Sequence, residues 1–381
     1  MSDCINDFFI GLMSGTSLDG VDGVVVNFAT KPFTVIATAT ELFETAFKAE
    51  LLALNSPSGN ELHRAALAAN TLVHIYARVV ARLLANLSAK GLDPNNIKAI
   101  GAHGQTVRHQ PQPSNTASGS GYTIQLNNSA LLSELCGIDV VSDFRSRDIA
   151  AGGQGAPLVP AFHKQVFGQD GFNTAVLNLG GIANISLLPA DSAMPVQGFD
   201  CGPGNALMDA WCFKQTGQAF DAGGAWAASG QLIPDLLERL LAEPYLAMPP
   251  PKSTGRDLFS LNWLAEQLRP FTACATQDIQ NTLTEFTARA CIDCITRYAV
   301  GSEQLIVCGG GAYNLYLMSR LQAGLPRLHV MSSKEHGLGP LEVEAAAFAW
   351  LARQTLLRQP GNLPSATGAR GLRVLGAIYP A

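Results

Sequence analysis

Two apolar runs, Phe8-Phe9-Ile10 and Val24-Val25-Val26, flank a stretch rich in glycine, hydroxyl and carboxylate side chains, Gly11 to Asp22. Apolar runs on either side of such a turn predict a β-hairpin, and Phe33–Phe43 predicts a third strand of an antiparallel meander. Two helices follow. The second, Glu61 to Lys90, places Leu72, Ile75, Val79, Leu83 and Leu87 at helical spacing and stops at Gly91. Lys98-Ala99-Ile100-Gly101 is a short strand that empties into polar Ala102–His109, the kind of strand end at which open α/β sheets hold ligands. Thr123–Leu126 and Ile138–Val141 read as strands around a helix over Ser129–Cys136. The long turn Ser142–Pro157, with Gly152, Gly153 and Gly155, is the expected first crossing between lobes, its glycines serving hinge motion or backbone approach to a ligand.

The pattern then starts again. Thr174–Leu179, the turn Gly180-Gly181-Ile182-Ala183-Asn184 and Ile185–Leu188 repeat strand, glycine turn and strand, and Val196–Asp200 supplies a third strand. Only this layout is shared between the halves. Helical patterns cover Ala206–Phe213, Gln231–Leu241, Leu261–Leu268 and Ile279–Tyr298; Leu305-Ile306-Val307-Cys308 is a buried-type strand ending in Gly309-Gly310-Gly311 before a helix over Leu315–Leu321. The apolar helix Leu341–Leu357 can pass back to cover the first lobe.

At 381 residues and 47% apolar content, with mean hydropathy +0.15, the chain can fill two cores. A net charge of −5 and only scattered cations such as Arg145, Arg147, Lys252 and Arg256 argue against nucleic acid or an anionic membrane as the main partner. Apolar runs fall short of a bilayer span, and Asp3 and Asp7 replace the basic start of a signal peptide, so a cytoplasmic protein is expected. Eight cysteines are too sparse for a disulfide framework, and Cys291 with Cys294 falls on the apolar face of a helix as core thiols.

Three glycine turns follow strands: Ser14–Gly20, Gly180–Asn184 and Gly309–Asn314. None is a P-loop, and the last lacks the dinucleotide fingerprint, so the layout suggests a nucleotide clamped between duplicated lobes. In the first turn, backbone N–H groups and hydroxyls suit phosphate, and carboxylates suit a hydrated Mg²⁺. Asp200 ends a strand ahead of Gly202-Pro203-Gly204 and a helix, a placement expected to favour the ionised form that a general base needs; helix capping is the alternative role. His103 is either a substrate hydrogen-bonding or a structural residue. Arg145 and Arg147 are a phosphate or carboxylate clamp or merely exposed charges, and Glu344 is a helix-dipole residue or a ligand contact.

Gly11–Asp22, Ala102–His109, Ile138–Phe162, Gly198–Asn205, Lys252–Arg256 and Val307–Asn314 together resemble the anhydro-N-acetylmuramic acid kinase family, of the sugar kinase, actin and Hsp70 superfamily. The resemblance runs over essentially the whole chain and implies an α/β, two-lobed, duplicated mixed-sheet fold with ATP in the interlobe cleft. The lobes are expected at 1–138 plus 341–381 and at 139–340. The resemblance implies that ATP, water and 1,6-anhydro-N-acetylmuramic acid give N-acetylmuramic acid 6-phosphate and ADP, a step of cell-wall sugar recycling. Asp200 is the implied base. Gly15, Thr16, Ser17, Leu18, Asp19, Gly20, Val21 and Asp22 are assigned to ATP phosphates and Mg²⁺, with Asp19 on the metal. Gly180, Gly181, Gly309, Gly310 and Gly311 are assigned to further nucleotide contacts, and His103, Arg145 and Glu344 to the amino sugar. A homodimer is also implied. Two other classes fit the same pattern: a kinase of the same fold acting on an ordinary ring-opened sugar, and a non-enzymatic ATP-driven chaperone or filament module.

Overall fold

The computed structural model describes residues 7–15, 17–111, 120–191, 193–250, 252–254 and 258–381. The chain forms two compact units, Met1–Phe162 with Leu341–Ala381, and His163–Pro340. In the first, β1 (Phe8–Met13), β2 (Gly20–Asn27) and β3 (Thr34–Leu42) form the expected antiparallel meander. β4 (Ile97–Ala102) lies parallel to β1, β5 (Gln105–Gln110) pairs with β6 (Tyr122–Leu126) as a separate hairpin, and β7 (Val140–Ser142) lies parallel to β4. The terminal strand Ala377–Tyr379 closes the far edge against β7.

The second unit repeats this plan. β8 (Thr174–Leu179), β9 (Ile182–Leu188) and β10 (Gln197–Pro203) form a meander, and β11 (Gln304–Cys308) and β12 (His329–Ser332) extend it in parallel from β8. The orders β7-β4-β1-β2-β3 and β12-β11-β8-β9-β10 are the same. A long helix follows the third strand of each meander, Glu61–Ala89 in one unit and Thr276–Tyr298 in the other. The duplication expected from layout is therefore present in the topology. Glu61–Ala89 is long and apolar enough to cross a membrane by length and composition, but Leu72, Val73, Tyr76, Val79, Leu83 and Leu87 lie in the core of the first unit.

The division falls at 162/163, later than the expected 138/139, because β7 hydrogen-bonds into the first sheet. Nor does Ser142–Pro157 make the crossing. It contains the helix Ser146–Ala150, whose buried Asp148 accepts from Gly155 N–H (2.8 Å), Asn362 Nδ2 (2.7 Å) and Thr367 Oγ1 (2.8 Å), while Gln154 N–H donates to Thr367 O (2.7 Å). A Cβ on Gly153 would overlap the Asp148 carboxylate. Gly153 makes room for a pinned carboxylate, while Gly152 (φ 85°) and Gly155 (φ 67°) turn the backbone against Arg370 and Ile149; packed in this way inside the first unit, they do not form the expected hinge.

The helix Glu342–Leu356 packs on β1, β2 and β4 through Ala345, Ala346, Ala349 and Ala352. Its backbone comes so close that a Cβ on Gly11 would overlap the Ala345 carbonyl, and one on Gly101 the Phe348 carbonyl. Gly11→Ala is thus expected to destabilise the protein by about 1–3 kcal/mol through overpacking. Gly59→Ala, where nothing lies within 4 Å of the added methyl, is the control. Urea midpoints compare the two, and equal midpoints would show that the helix can move away at no cost.

Candidate active site

The β1–β2 turn is built from the inside. Ser14 Oγ donates to Gly104 O (3.1 Å), so its other partner, the Tyr76 hydroxyl at 3.0 Å, must donate to it; Tyr76 in turn accepts from Gly104 N–H (3.1 Å). This closed ring sits on the core helix, where burial pushes the Tyr76 phenol far above its ordinary range. Gln105 Nε2 adds a bond to Gly15 O (3.2 Å). Leu18, with φ of 59°, and Val21 bury their side chains in the core, so only their backbone is open to a ligand. A Cβ on Gly20 would overlap the Glu41 carbonyl, which makes that glycine a requirement of the β2–β3 approach. Asp22 accepts from Thr40 Oγ1 (2.8 Å), and burial holds its carboxyl above the usual range. Asp19 is exposed, with Lys48 Nζ at 3.2 Å, and Thr16 lies outside the described residues.

His103 closes the underside of the turn. Arg145 approaches its Nε2 with Nη2 (2.9 Å) and Nε (3.3 Å); a guanidinium only donates, so Nε2 carries the lone pair and the proton sits on Nδ1, 3.3 Å from Ser14 O. Burial, and then the Arg145 charge, push the His103 pKa down to about 3, so the ring is neutral at physiological pH. Both nitrogens are used within the fold. Of the two roles open to His103 from the sequence, the geometry gives it the contacts of the structural one, with Ser14 and Arg145 on its two ring nitrogens. Arg145 Nη1 also donates to Gly155 O (2.8 Å). Burial lowers the Arg145 pKa to about 10, opposed by the charges of Glu344 and Asp148, so it stays cationic with terminal N–H donors left over. Glu344 thereby acts on Arg145. Arg147 is exposed on the short helix Ser146–Ala150.

In the second unit Asp200 lies on β10 beside a bulge that skips Cys201. One carboxylate oxygen accepts from Thr254 N–H (2.9 Å) and Ser253 Oγ (3.0 Å). Asp200 N–H donates to Lys252 O (3.2 Å), and its own carbonyl accepts from the Tyr245 hydroxyl (3.0 Å). Burial raises the Asp200 pKa to about 6, against the bonds from Thr254 and Ser253 and the Lys252 charge. The carboxylate caps no helix: Ala206–Thr216 starts without a side-chain cap, and the N–H groups of Gly204, Asn205 and Ala206 donate to the carbonyls of Gly180 and Gly181. The expectation that a helix terminus favours the ionised form is therefore replaced by the opposite shift, set by burial.

Those bonds give the Gly180–Gly181 turn a structural task, holding the Pro203–Asn205 backbone. Gly309 (φ 79°) and Gly311 are also packing positions: a Cβ on Gly309 would meet Asn178 Oδ1 at 2.5 Å, and one on Gly311 would meet Leu179 Cβ at 2.5 Å. Gly310 is exposed. Sequence reasoning missed Tyr76 and Tyr245, and it quoted Ser253 and Thr254 within Lys252–Arg256 without giving them a role. The available signals were one hydroxyl on an otherwise apolar core stripe, and a Lys-Ser-Thr run directly after a proline break.

The family model for anhydro-N-acetylmuramic acid kinase matches residues 7–381. The chain is 59% identical over 395 residues to the anhydro-N-acetylmuramic acid kinase of Albidiferax ferrireducens, covering 99% of this chain and 100% of that protein. It is 61% identical over 378 residues to that of Variovorax paradoxus (98% and 99% covered), and 52% identical over 374 residues to that of Nitrosomonas europaea (98% and 100%). With relatives this alike from end to end and a family model spanning both units, the chain belongs to the anhydro-N-acetylmuramic acid kinase family.

Proposed function

We infer that the chain uses ATP and water to convert 1,6-anhydro-N-acetylmuramic acid into N-acetylmuramic acid 6-phosphate and ADP, in peptidoglycan recycling. Family membership supports the reaction. The observation that carries the mechanism is Asp200, which lies inside β10 beside its bulge rather than at a strand end, its carboxylate held by Ser253 and Thr254 with its pKa raised to about 6. A base whose pKa lies just below the working pH is mostly ionised and still binds a proton well. Asp200 takes a proton from water as the water oxygen bonds to the anomeric carbon. The bond from that carbon to the 6-oxygen breaks, and the freed oxygen attacks the γ-phosphorus as the bond to ADP breaks. The proton leaves through Asp200.

In the first unit the Gly15–Gly20 backbone faces the phosphates, and Arg145 offers its remaining N–H donors to an anionic group of the sugar. Mg²⁺ needs one or two carboxylates besides phosphate oxygens and water; exposed Asp19, paired with the exposed Lys48, fits that demand. When bound there it would neutralise developing phosphate charge. The described cysteines are free thiols.

Incubation with Mg-ATP and the anhydro sugar should give a product heavier by both phosphate and water. A phosphorylated product from ring-opened sugar alone would favour the ordinary sugar kinase. Asp200→Asn should melt like the parent and bind ATP, yet lose about 10²–10⁴ in kcat, because the amide keeps the shape but cannot take the proton. Retained turnover would remove Asp200 from the chemistry.

The base works ionised, so kcat/KM should rise with pH through an acid limb near 6 and then level off. Ser253→Ala removes a bond to the ionised form and should move that limb upward. A limb unmoved by this change would mean that another group titrates. Asp19→Ala should lower kcat/KM for ATP by about tenfold or more and raise the Mg²⁺ needed for half-maximal rate. An unchanged Mg²⁺ dependence would exclude Asp19 as a metal contact.

A further inference from the structure

A hydroxyl interrupts the apolar face of the long helix Glu61–Ala89. Tyr76 is fully buried in a stripe with Leu72, Val73, Val79, Val80 and Leu83, where phenylalanine would fill the same space. A buried hydroxyl costs stability unless it is paired, so its bonds are what tyrosine adds there. It donates to Ser14 Oγ (3.0 Å), Ser14 Oγ donates to Gly104 O (3.1 Å), and Gly104 N–H donates back to it (3.1 Å). The two hydroxyls each donate and accept in one sense, so each bond strengthens the next. Burial keeps the phenol protonated at any working pH, and it remains a donor.

What the ring holds is one peptide plane. The Ser14 side chain is pinned to Tyr76 and Gly104, and the Ser14 carbonyl accepts from His103 Nδ1–H (3.3 Å). The Ser14–Gly15 peptide is trans, so the Gly15 N–H points opposite to that carbonyl, away from His103. Among the described residues that N–H has no hydrogen-bond partner, whereas Gly15 O accepts from Leu18 N–H (3.2 Å) and Gln105 Nε2 (3.2 Å). Packing does not account for a glycine there either. A Cβ on Gly15 would find nothing nearer than 3.6 Å, and the residue is not left-handed, while Gly20 has the Glu41 carbonyl against it. A half-buried glycine that the fold does not require, carrying a donor that the fold does not use, suits the close approach of an anion.

We propose that Tyr76 is a positioning residue for phosphoryl transfer, its hydroxyl fixing Ser14 so that the Gly15 N–H is aimed at the nucleotide's phosphates before ATP arrives. This rests on the kinase reading and adds the group that sets the phosphate turn from within the core. Tyr76 itself touches no substrate. A donor held in place beforehand spares the ligand the cost of ordering it. Without the phenol hydroxyl, Ser14 Oγ loses its donor and Gly104 N–H its acceptor, and the Ser14–Gly15 plane is held from the His103 side alone.

The test titrates ATP, ADP and AMP calorimetrically, with melting temperatures alongside, in the parent, Tyr76→Phe, Ser14→Ala and the double variant. Tyr76→Phe should weaken ATP and ADP by about tenfold or more, the worth of a hydrogen bond to a charged group, and leave AMP, which lacks the outer phosphates, nearly unchanged. Ser14→Ala should do the same. Because both changes open one ring, the double variant should bind no worse than the weaker single.

A merely structural hydroxyl gives another pattern. Lower melting temperatures with parental affinity for all three nucleotides, equal losses for AMP, ADP and ATP, or additive losses in the double variant would each overturn the role. Should Tyr76→Phe not fold, Ser14→Ala decides on the contrast between ADP and AMP. A parent that binds ADP but transfers no phosphate to the anhydro sugar would sink the kinase reading and leave Tyr76 to be judged on ADP. Normal transfer, with ATP and ADP held as tightly by the variants as by the parent, would do the reverse.

Discussion

The approach of the helix Glu342–Leu356 to the first sheet is the constraint on which the first unit's site depends. At Gly11 and Gly101 there is no room for a methyl group, so the helix backbone lies directly on β1 and β4. That distance fixes what the helix delivers. Phe348 reaches the His103 ring (centroids 4.6 Å apart) and Phe144 (5.6 Å), and Glu344, one turn earlier, acts on Arg145. A helix carried farther out by larger residues would leave His103 without its apolar cover and Arg145 without its countercharge. The alanines along the buried face and the two strand glycines are thus one device, and the orientation of the polar groups follows from it.

Burial is the common cause of the shifted titrations, and the partners decide what each shift is worth. His103 is pushed down to about 3 and so becomes a fixed dipole, accepting from a cation at one end and donating to a carbonyl at the other. Arg145 falls only to about 10 and stays charged. Asp200 rises to about 6, near enough to neutrality to exchange a proton. Of the three, only Asp200 can change its charge in the physiological range, the property that its proposed role as a base requires.

Much of the scaffold was legible because it rests on short-range pattern. Both meanders announce themselves as apolar runs around glycine turns, and the two long helices as apolar stripes. β5 was not legible: in Gln105-Thr106-Val107-Arg108-His109-Gln110 only Val107 is apolar, and the strand exists because β6 lies beside it. Composition likewise cannot tell a glycine that bends from one that makes room: Gly152 and Gly155 take left-handed backbone, whereas Gly153 makes room for Asp148, which Asn362 and Thr367 pin. The site was legible as positions, not as electrostatics. Asp200 stands in sequence next to a helix start, but its pKa is set by burial and by the opposing groups of Thr254, Ser253 and Lys252, which lie far along the chain.

The manner in which that later segment is held explains why Asp200 sits where it does. Lys252 is buried, and among the described residues its ammonium is met by the carbonyls of Tyr245 (3.4 Å) and Leu246 (3.1 Å) and the face of the Tyr245 ring (4.8 Å) rather than by a carboxylate. Carbonyl dipoles and a π-face satisfy the cation without neutralising it. Its positive field therefore still reaches Asp200 and partly offsets the burial that raises the carboxyl. The same lysine's carbonyl accepts from Asp200 N–H, and the next two residues donate to the carboxylate, so one short strap sets both the position and the acidity of the group. A carboxylate partner for Lys252 would cancel that field and carry the Asp200 pKa higher, toward a carboxyl too protonated to act as a base at neutral pH.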